Sequence, residues 1–148
     1  MATETENIAK TNLAGLREEI IFLVVEDNRG HFTLTKHCLR QAGIENETIW
    51  LENGQDALDY LKGPGNPTQT GKKYIMLLDI RMPKVDGIEV LSTMKEDPVL
   101  SNISVIMLTT SEDQLIARKC YELGCDAHII KPPGEVLLKA IDRISQRI

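Results

Sequence analysis

Three carboxylates in this sequence directly follow apolar segments. Asp79 directly follows the apolar run 74–78, and Glu26 and Asp27 follow the run Ile20–Val25. Neighbouring carboxylates repel one another unless they share a cation. An incomplete set of hard oxygen ligands suits Mg²⁺, which keeps several of its waters. If the fold gathers these acids, we expect them to bind Mg²⁺.

A hydroxyl and an amine follow two further apolar segments. Thr109 comes after segment 105–108, and Lys131 comes after segment 127–130. The hydroxyl supplies a hydrogen bond and the lysine supplies a point positive charge, which are what a phosphoryl group requires. Beside these groups, Asp79 is expected to attack phosphorus as a nucleophile and form an aspartyl phosphate.

Each of these residues also has an ordinary structural interpretation. Asp79 is compatible with a turn, Glu26 and Asp27 with a helix cap, Thr109 with a solvent-side strand end and Lys131 with a surface amine. A coincidence would have to occur at four separate strand ends, so a common site is favoured.

The elements that would position these residues alternate between strand and helix. Continuous apolar runs are typical of strands buried on both faces, whereas apolar residues spaced by three and four predict helices. Five strand–helix units predict an α/β, flavodoxin-like doubly wound sheet of five parallel strands in the order 2-1-3-4-5. In that order strands one and three are neighbours, and all five carboxyl ends meet at one edge. Predicted strands are 20–25, 48–51, 74–79, 105–108 and 127–130, and predicted helices are 29–42, 54–62, 87–96, 111–123 and 135–148.

Two segments fall outside this alternation. Residues 1–19 are polar and lack the apolar region of a signal peptide, so we expect a flexible N-terminal leader with room for a turn at 12–16. Residues 20–148 are expected to form one domain. Segment 62–73 is rich in Gly, Pro, Asn, Thr and Lys and is interpreted as an inserted surface loop.

The composition argues against several classes of protein. A chain of 148 residues with 42% hydrophobic residues and a net charge of −5 is typical of one soluble domain without a basic stripe for DNA. No apolar run approaches the length of a membrane span. Cys38, Cys120 and Cys125 match no zinc or redox spacing and are interpreted as reduced, mostly buried thiols of a cytoplasmic protein. We therefore expect no DNA and no membrane partner.

Four motifs surround the candidate residues, and Asp79 is followed by Thr109 after 30 positions and by Lys131 after 52. In these motifs and gaps, residues 20–148 resemble the response-regulator receiver domains of two-component signalling. The long insertion at 62–73, the Thr109-Thr110-Ser111 triplet and the absence of an output domain resemble single-domain regulators that partner phytochrome-type histidine kinases. The motifs are Val24-Val25-Glu26-Asp27-Asn28, Leu77-Leu78-Asp79-Ile80-Arg81-Met82-Pro83-Lys84-Val85-Asp86-Gly87, Leu108-Thr109-Thr110 and Lys131-Pro132.

The resemblance implies a role for each residue in phosphoryl transfer. Asp79 would accept a phosphoryl group from a sensor histidine kinase, Lys131 would pair with the phosphate, and Thr109 would be the switch hydroxyl. The chain would catalyse only its own phosphorylation and dephosphorylation. The Lys131–Pro132 bond would be cis.

The resemblance also implies a metal site. Mg²⁺ would be held by Glu26, Asp27, Asp79 and the backbone carbonyl of Arg81. Two rival functions depend on these residues. An aspartate-nucleophile phosphatase needs a second acid where this chain has Arg81, and a receiver-like scaffold that is never phosphorylated would be expected to lack a site residue.

Three residues depart from the family's pattern. His128 stands where a switch aromatic is usual; it can rotate as a Tyr or Phe does, with added pH sensitivity, or be a satisfied histidine at a strand edge. Thr110 is bulkier than usual and would narrow phosphoryl access, and Arg81 places a cation beside the site. His31 and His37 share no metal-ligand spacing with any acid and are interpreted as helix-surface residues.

The expected signal is a change in packing. Phosphorylation adds about −1.5 to −2 charges, draws Thr109 toward the phosphoryl group and leaves space that His128 fills by turning inward. The affected surface is the α4-β5-α5 face, formed by helix 111–123, the fifth strand and the last helix. We expect this face to mediate a homodimer or to bind a downstream phosphotransfer protein.

Overall fold

A computed structural model describes residues 11–63 and 71–148. It contains one five-stranded parallel sheet in the order β2-β1-β3-β4-β5, which confirms the predicted topology. No helix of the described residues is long and apolar enough to cross a membrane. The strands are β1 (Ile20–Val25), β2 (Thr48–Leu51), β3 (Lys73–Asp79), β4 (Ser104–Thr109) and β5 (Ala127–Ile130). The helices are α1 (Arg29–Gln41), α2 (Gly54–Lys62), α3 (Gly87–Glu96), α4 (Gln114–Glu122) and α5 (Glu135–Ser145), with a 3₁₀ turn at Leu100–Asn102.

The core consists of two apolar clusters, one on each face of the sheet. In β1, Ile21, Leu23 and Val25 join side chains of α2, α3 and α4, whereas Phe22 and Val24 join those of α1 and α5. Because both faces are covered, every residue of β1 and β4 and every residue of β3 after Lys73 is buried, which explains the unbroken apolar runs. The three cysteines are unpaired, as predicted; Cys120 and Cys125 are buried and Cys38 is half-buried.

Short polar side chains begin the helices. Asn28, Asn53 and Asp86 accept hydrogen bonds from backbone N–H groups three residues later, at the starts of α1, α2 and α3. The capping box predicted from Ser111 to Gln114 is wrong. Ser111 Oγ accepts from the N–H of Asp113, and the Asp113 carboxylate caps α4 by accepting from the N–H of Leu115. A charged acceptor makes the stronger hydrogen bond, so the helix begins at Gln114.

The C-terminal helix is shorter than predicted. α5 ends at Ser145, three residues before the end of the chain. Arg17 donates from Nη2 to the carbonyl oxygens of Ser145 at 3.0 Å and Ile148 at 2.5 Å. The guanidinium thus satisfies carbonyls that have no partner within the helix.

Part of the predicted leader packs against the domain. Leu13 is buried, and its N–H donates to the carbonyl of Ala42 at 2.7 Å. Thr11 N donates to Glu135 Oε1 at 2.7 Å, and a turn forms between Leu13 and Leu16. The packed part of the chain therefore starts before the expected boundary at residue 20. The remainder of the leader, 1–10, and residues 64–70 of the predicted loop lie outside the described residues.

Candidate functional site

The three predicted metal-binding acids lie together at the carboxyl edge of the sheet. Ligand oxygens of Glu26, Asp27 and Asp79 are all within 4.8 Å of one another. They meet because β1 and β3 are neighbours, with Val25 opposite Leu78, so that the next residue of each strand is acidic. Glu26 and Asp79 are buried, whereas Asp27 is exposed to solvent.

The amine of Lys131 lies opposite two of these acids. Its side chain is only 6% exposed, and Nζ forms a short ion pair with Glu26 Oε1 and lies 3.6 Å from Asp79 Oδ1. The backbone N–H of Lys131 donates to the carbonyl of Thr109 at 2.8 Å, which extends the β4–β5 ladder to the lysine. The Lys131–Pro132 bond is cis, as predicted. The lysine is therefore placed to neutralise charge on either carboxylate.

The hydroxyl of Thr109 lies at the end of the adjacent strand. Asp79 is paired in register with Leu108, so Thr109 is one residue beyond the partner of the carboxylate. The threonine is 1% exposed, and its Oγ1 accepts from the N–H of Ser111 at 3.0 Å. This bond uses a lone pair and leaves the hydroxyl proton available to a new acceptor.

Burial controls the ionisation of Asp79. It raises the pKa of this carboxyl from 3.8 to about 7, in spite of the attraction of Lys131, and the nearby Glu26 adds repulsion. Three carboxyl groups thus lie together, and the ammonium group of Lys131 is beside two of them, so the cluster is rich in oxygen donors. The donor set fits a divalent cation such as Mg²⁺, held by Glu26, Asp27 and Asp79.

The connection between β3 and α3 is tightly packed around Asp79. Gly87 begins α3, and its N–H donates to the carbonyl of Ile80 at 2.8 Å. A Cβ atom at position 87 would lie 2.1 Å from the backbone oxygen of Asp79, so only glycine fits. Arg81 and Thr110, both expected near the site, are exposed.

His128 faces the sheet surface that packs against α4. It is paired with Met107, which belongs to the cluster shared with α3 and α4. Its Nε2 is buried without a hydrogen-bond partner among residues 11–63 and 71–148, and burial lowers the pKa of the ring. This arrangement favours the switch role over a satisfied histidine at a strand edge, because a buried ring nitrogen normally has a hydrogen-bond partner. The backbone N–H of His128 donates to the hydroxyl of Tyr121 at 3.1 Å.

Sequence reasoning missed two residues that contact the site. His31 was interpreted as a helix-surface residue, but its Nδ1 lies 3.1 Å from Lys131 Nζ and 3.8 Å from Glu26 Oε2. The N-cap at Asn28 is a signal for this contact, since it places the first turn of α1 directly after the acids. Trp50 Nε1 donates to the carbonyl oxygen of Glu26 at 2.7 Å, and no local pattern indicates that contact.

Comparisons with known proteins agree with this arrangement. The family model described as "Response regulator receiver domain" matches residues 22–142. A probable methanogenesis regulatory protein, FilR2 of Methanothrix harundinacea, is 36% identical over 133 residues, which are 87% of this chain and 83% of that protein. The response regulator Rcp1 of Synechocystis is 36% identical over 113 residues, which are 75% of this chain and 76% of Rcp1.

Two solved structures have the same fold. The Mn²⁺-bound form of response regulator Rcp1 has a TM-score of 0.68 at 30% identity, covering 85% of this chain and 91% of that one. The phosphorylated cyanobacterial phytochrome response regulator RcpA has a TM-score of 0.70 at 30% identity, covering 88% and 93%. On the family match and these relatives, the chain belongs to the response-regulator receiver domain family.

Proposed function

We propose that this receiver domain takes a phosphoryl group from a sensor histidine kinase onto Asp79 in the presence of Mg²⁺. The observation that carries the proposal is the approach of three carboxylates to within 4.8 Å of one another, with the buried amine of Lys131 beside them. The protein is a signalling phosphoacceptor, and its only catalysis is its own phosphorylation and dephosphorylation.

The proposed step is an in-line displacement at phosphorus. A carboxylate oxygen of Asp79 attacks the phosphorus of a phosphohistidine in the kinase; the P–O bond forms as the P–N bond breaks, and the imidazole leaves with the electron pair. Lys131 pairs with an equatorial oxygen of the transferring group, and Thr109 donates its hydroxyl proton to another. Asp79 must be ionised to attack, and because burial raises its pKa to about 7 in the metal-free protein, positive charge beside it favours the reactive form.

The metal ion would be held by the side chains of Glu26, Asp27 and Asp79 and by the backbone carbonyl of Arg81. When bound, it supplies positive charge that stabilises the phosphoryl oxygens and favours ionised carboxylates. Support comes from the donor set and from the Mn²⁺-bound neighbouring structure.

A cleft beside Lys131 is the proposed docking position for the kinase. It has a volume of about 200 Å³ and adjoins Leu34 of α1, an apolar side chain that is 52% exposed. A phosphohistidine presented here would approach Lys131, which lines the cleft and forms ion pairs with Glu26 and Asp79. Among candidate kinases, the phytochrome type is favoured, because a phytochrome response regulator is among the similar structures. The cleft is lined by His31, Leu34, Thr110, Lys131, Pro132 and Pro133.

The proposed switch couples Thr109 to His128. When Thr109 moves to the phosphoryl group, the imidazole turns into the space that the threonine leaves. The buried Nε2 without a partner supports this role, since an unsatisfied ring nitrogen reduces the stability of the present rotamer.

The proposed output surface is the α4-β5-α5 face. α4 and α5 both contact β5, and each of the three elements exposes an apolar side chain: Leu115 is 72% exposed, Ile130 42% and Val136 68%. We propose that this face forms a homodimer or binds a downstream phosphotransfer protein. A sedimentation profile that stays monomeric at high concentration, with and without a phosphate mimic, would contradict the dimer.

Phosphate incorporation tests the function directly. Wild-type protein and Asp79→Asn are incubated with Mg²⁺ and either acetyl phosphate or a panel of phosphorylated histidine kinases, phytochrome-type kinases first. We expect acylphosphate in the wild-type protein and none in the variant, whose fold should be unchanged by circular dichroism. Undiminished labelling of the variant would remove Asp79 from its role, and no labelling of either protein would favour a scaffold.

A further inference from the structure

Trp50, the one tryptophan of the chain, contacts the metal site of the proposed function, on which its role depends. Trp50 lies on the edge strand β2, in register with Val24 and therefore on the face of the sheet that packs against α1. Its indole N–H donates to the carbonyl oxygen of Glu26 at 2.7 Å. The ring is thus attached to the backbone of a metal-binding acid.

Two residues of α1 hold the indole in place. Phe32 stacks on the ring with a centroid distance of 4.5 Å and an interplanar angle of 5°. The guanidinium carbon of Arg29 lies 5.9 Å from the ring centroid, within the range of a cation–π contact. Since these contacts restrict the ring, the indole N–H is preoriented toward the carbonyl that it binds.

The backbone of Glu26 is held by β2 on both sides. Its N–H donates to the carbonyl of Leu51 at 3.0 Å, and its carbonyl accepts from Trp50. That carbonyl belongs to the planar peptide group that joins Glu26 to Asp27, so a hydrogen bond to the oxygen fixes the direction in which Asp27 leaves the strand. The exposed Asp27 side chain has no burial to orient it.

We infer that Trp50 is a positioning residue for the metal site: through its indole N–H it sets the peptide between Glu26 and Asp27 and thereby raises the affinity for a divalent cation. Outer-shell hydrogen bonds to metal ligands have this effect in general. Because the donor belongs to a fluorophore, cation binding should also change the tryptophan emission of the wild-type protein.

The test removes only the donor. Growth of a tryptophan auxotroph on benzothienylalanine replaces the indole N–H group of Trp50 by sulfur. No other residue changes, because the chain has a single tryptophan. A Trp50→Phe variant provides a second version that keeps an aromatic partner for Phe32. Dissociation constants are measured on the full chain by electron paramagnetic resonance with Mn²⁺ and by competition with Mg²⁺.

We expect both changes to raise the dissociation constant about fivefold, which corresponds to about 1 kcal/mol for one net hydrogen bond. With acetyl phosphate, the Mg²⁺ concentration for half-maximal labelling should rise by the same factor while the maximal rate stays unchanged. The comparison variant is Phe32→Leu, which keeps the donor but loses one of the two contacts that restrict the ring; its dissociation constant should rise by less than twofold.

Different outcomes would contradict the positioning role of Trp50 and the metal site itself. Wild-type affinity in the benzothienylalanine protein, or an equal loss of affinity in Phe32→Leu, would overturn the role of the N–H donor. A wild-type protein that binds neither Mn²⁺ nor Mg²⁺ would instead overturn the metal site of the proposed function.

Discussion

Replacing Asp79 with asparagine should stabilise the metal-free protein, and the gain should grow with pH. Burial raises the pKa of this carboxyl from 3.8 to about 7. Between these values the unfolded chain has lost its proton and the folded protein retains it. The contribution of this carboxyl to folding stability is therefore fully present below pH 3.8 and is lost as the pH rises through 7. The neutral amide of the Asp79→Asn variant has no such dependence.

The size of the effect follows from the shift in pKa. A rise of about three pH units, at about 1.4 kcal/mol per unit, costs at most about 4 kcal/mol when Asp79 is fully ionised. The site is at the open edge of the sheet, where solvent screening reduces such energies, so we expect about 2 kcal/mol in total. Roughly 60% of this cost arises between pH 5 and pH 8, so the variant should gain about 1 kcal/mol on wild type over that interval.

The assay is urea unfolding at pH 5 and pH 8 in the presence of EDTA, with the free energy of unfolding compared between the two proteins. Asp59→Asn is the matched control, since it removes one negative charge from an exposed position of α2. Its difference from wild type in the free energy of unfolding should be the same at pH 5 and pH 8. Addition of Mg²⁺ at pH 8 should stabilise wild type more than Asp79→Asn. A stability gain of Asp79→Asn over wild type that did not increase from pH 5 to pH 8 would refute the argument, and so would an Asp79→Asn variant less stable than wild type at pH 8.

Three further predictions test the surroundings of the site. Gly87→Ala should destabilise the protein by about 1–3 kcal/mol in urea unfolding, because its Cβ would collide with the Asp79 carbonyl; Gly15→Ala, with open space around it, should not. His128→Phe should raise stability by about 1 kcal/mol by removing a buried nitrogen without a partner. Burial lowers the pKa of His128, so wild type loses stability as the pH falls through 6.5 and the Phe variant should lose less; parallel pH curves would contradict this. Lys131→Met should slow labelling by acetyl phosphate about 10²-fold by removing the cation opposite the transferring group, and an unchanged rate would exclude that role.

Two sequence predictions were corrected because another hydrogen-bond partner competes with the predicted one. The box from Ser111 to Gln114 matches the capping pattern, but Asp113 is a stronger acceptor and caps α4 instead. The last helix was expected to reach Ile148, and it ends earlier, where Arg17 binds the terminal carbonyls. In the second case the competing group is 128 residues away in sequence from Ser145, so no local pattern contains it.

The sequence by itself determined the strands, their order and the edge at which the candidate residues meet. Unbroken apolar runs specify strands buried on both faces, and alternation with helices leaves few topologies for a parallel sheet. Once the order is known, residues at the carboxyl ends of strands, such as Glu26, Asp79 and Lys131, are placed within a few ångström without knowledge of any side-chain contact. This is why Asp79 and its neighbours were predictable.

Only the tertiary structure decided how those residues are held. The contact of His31 with Lys131, the indole bond to Glu26 and the unpartnered nitrogen of His128 join elements that are distant in sequence. Such contacts depend on how far a helix is rotated about its axis and on which face an edge strand presents. These are set by the packing of the whole core, whereas hydrophobic periodicity reports only which face of each element is buried.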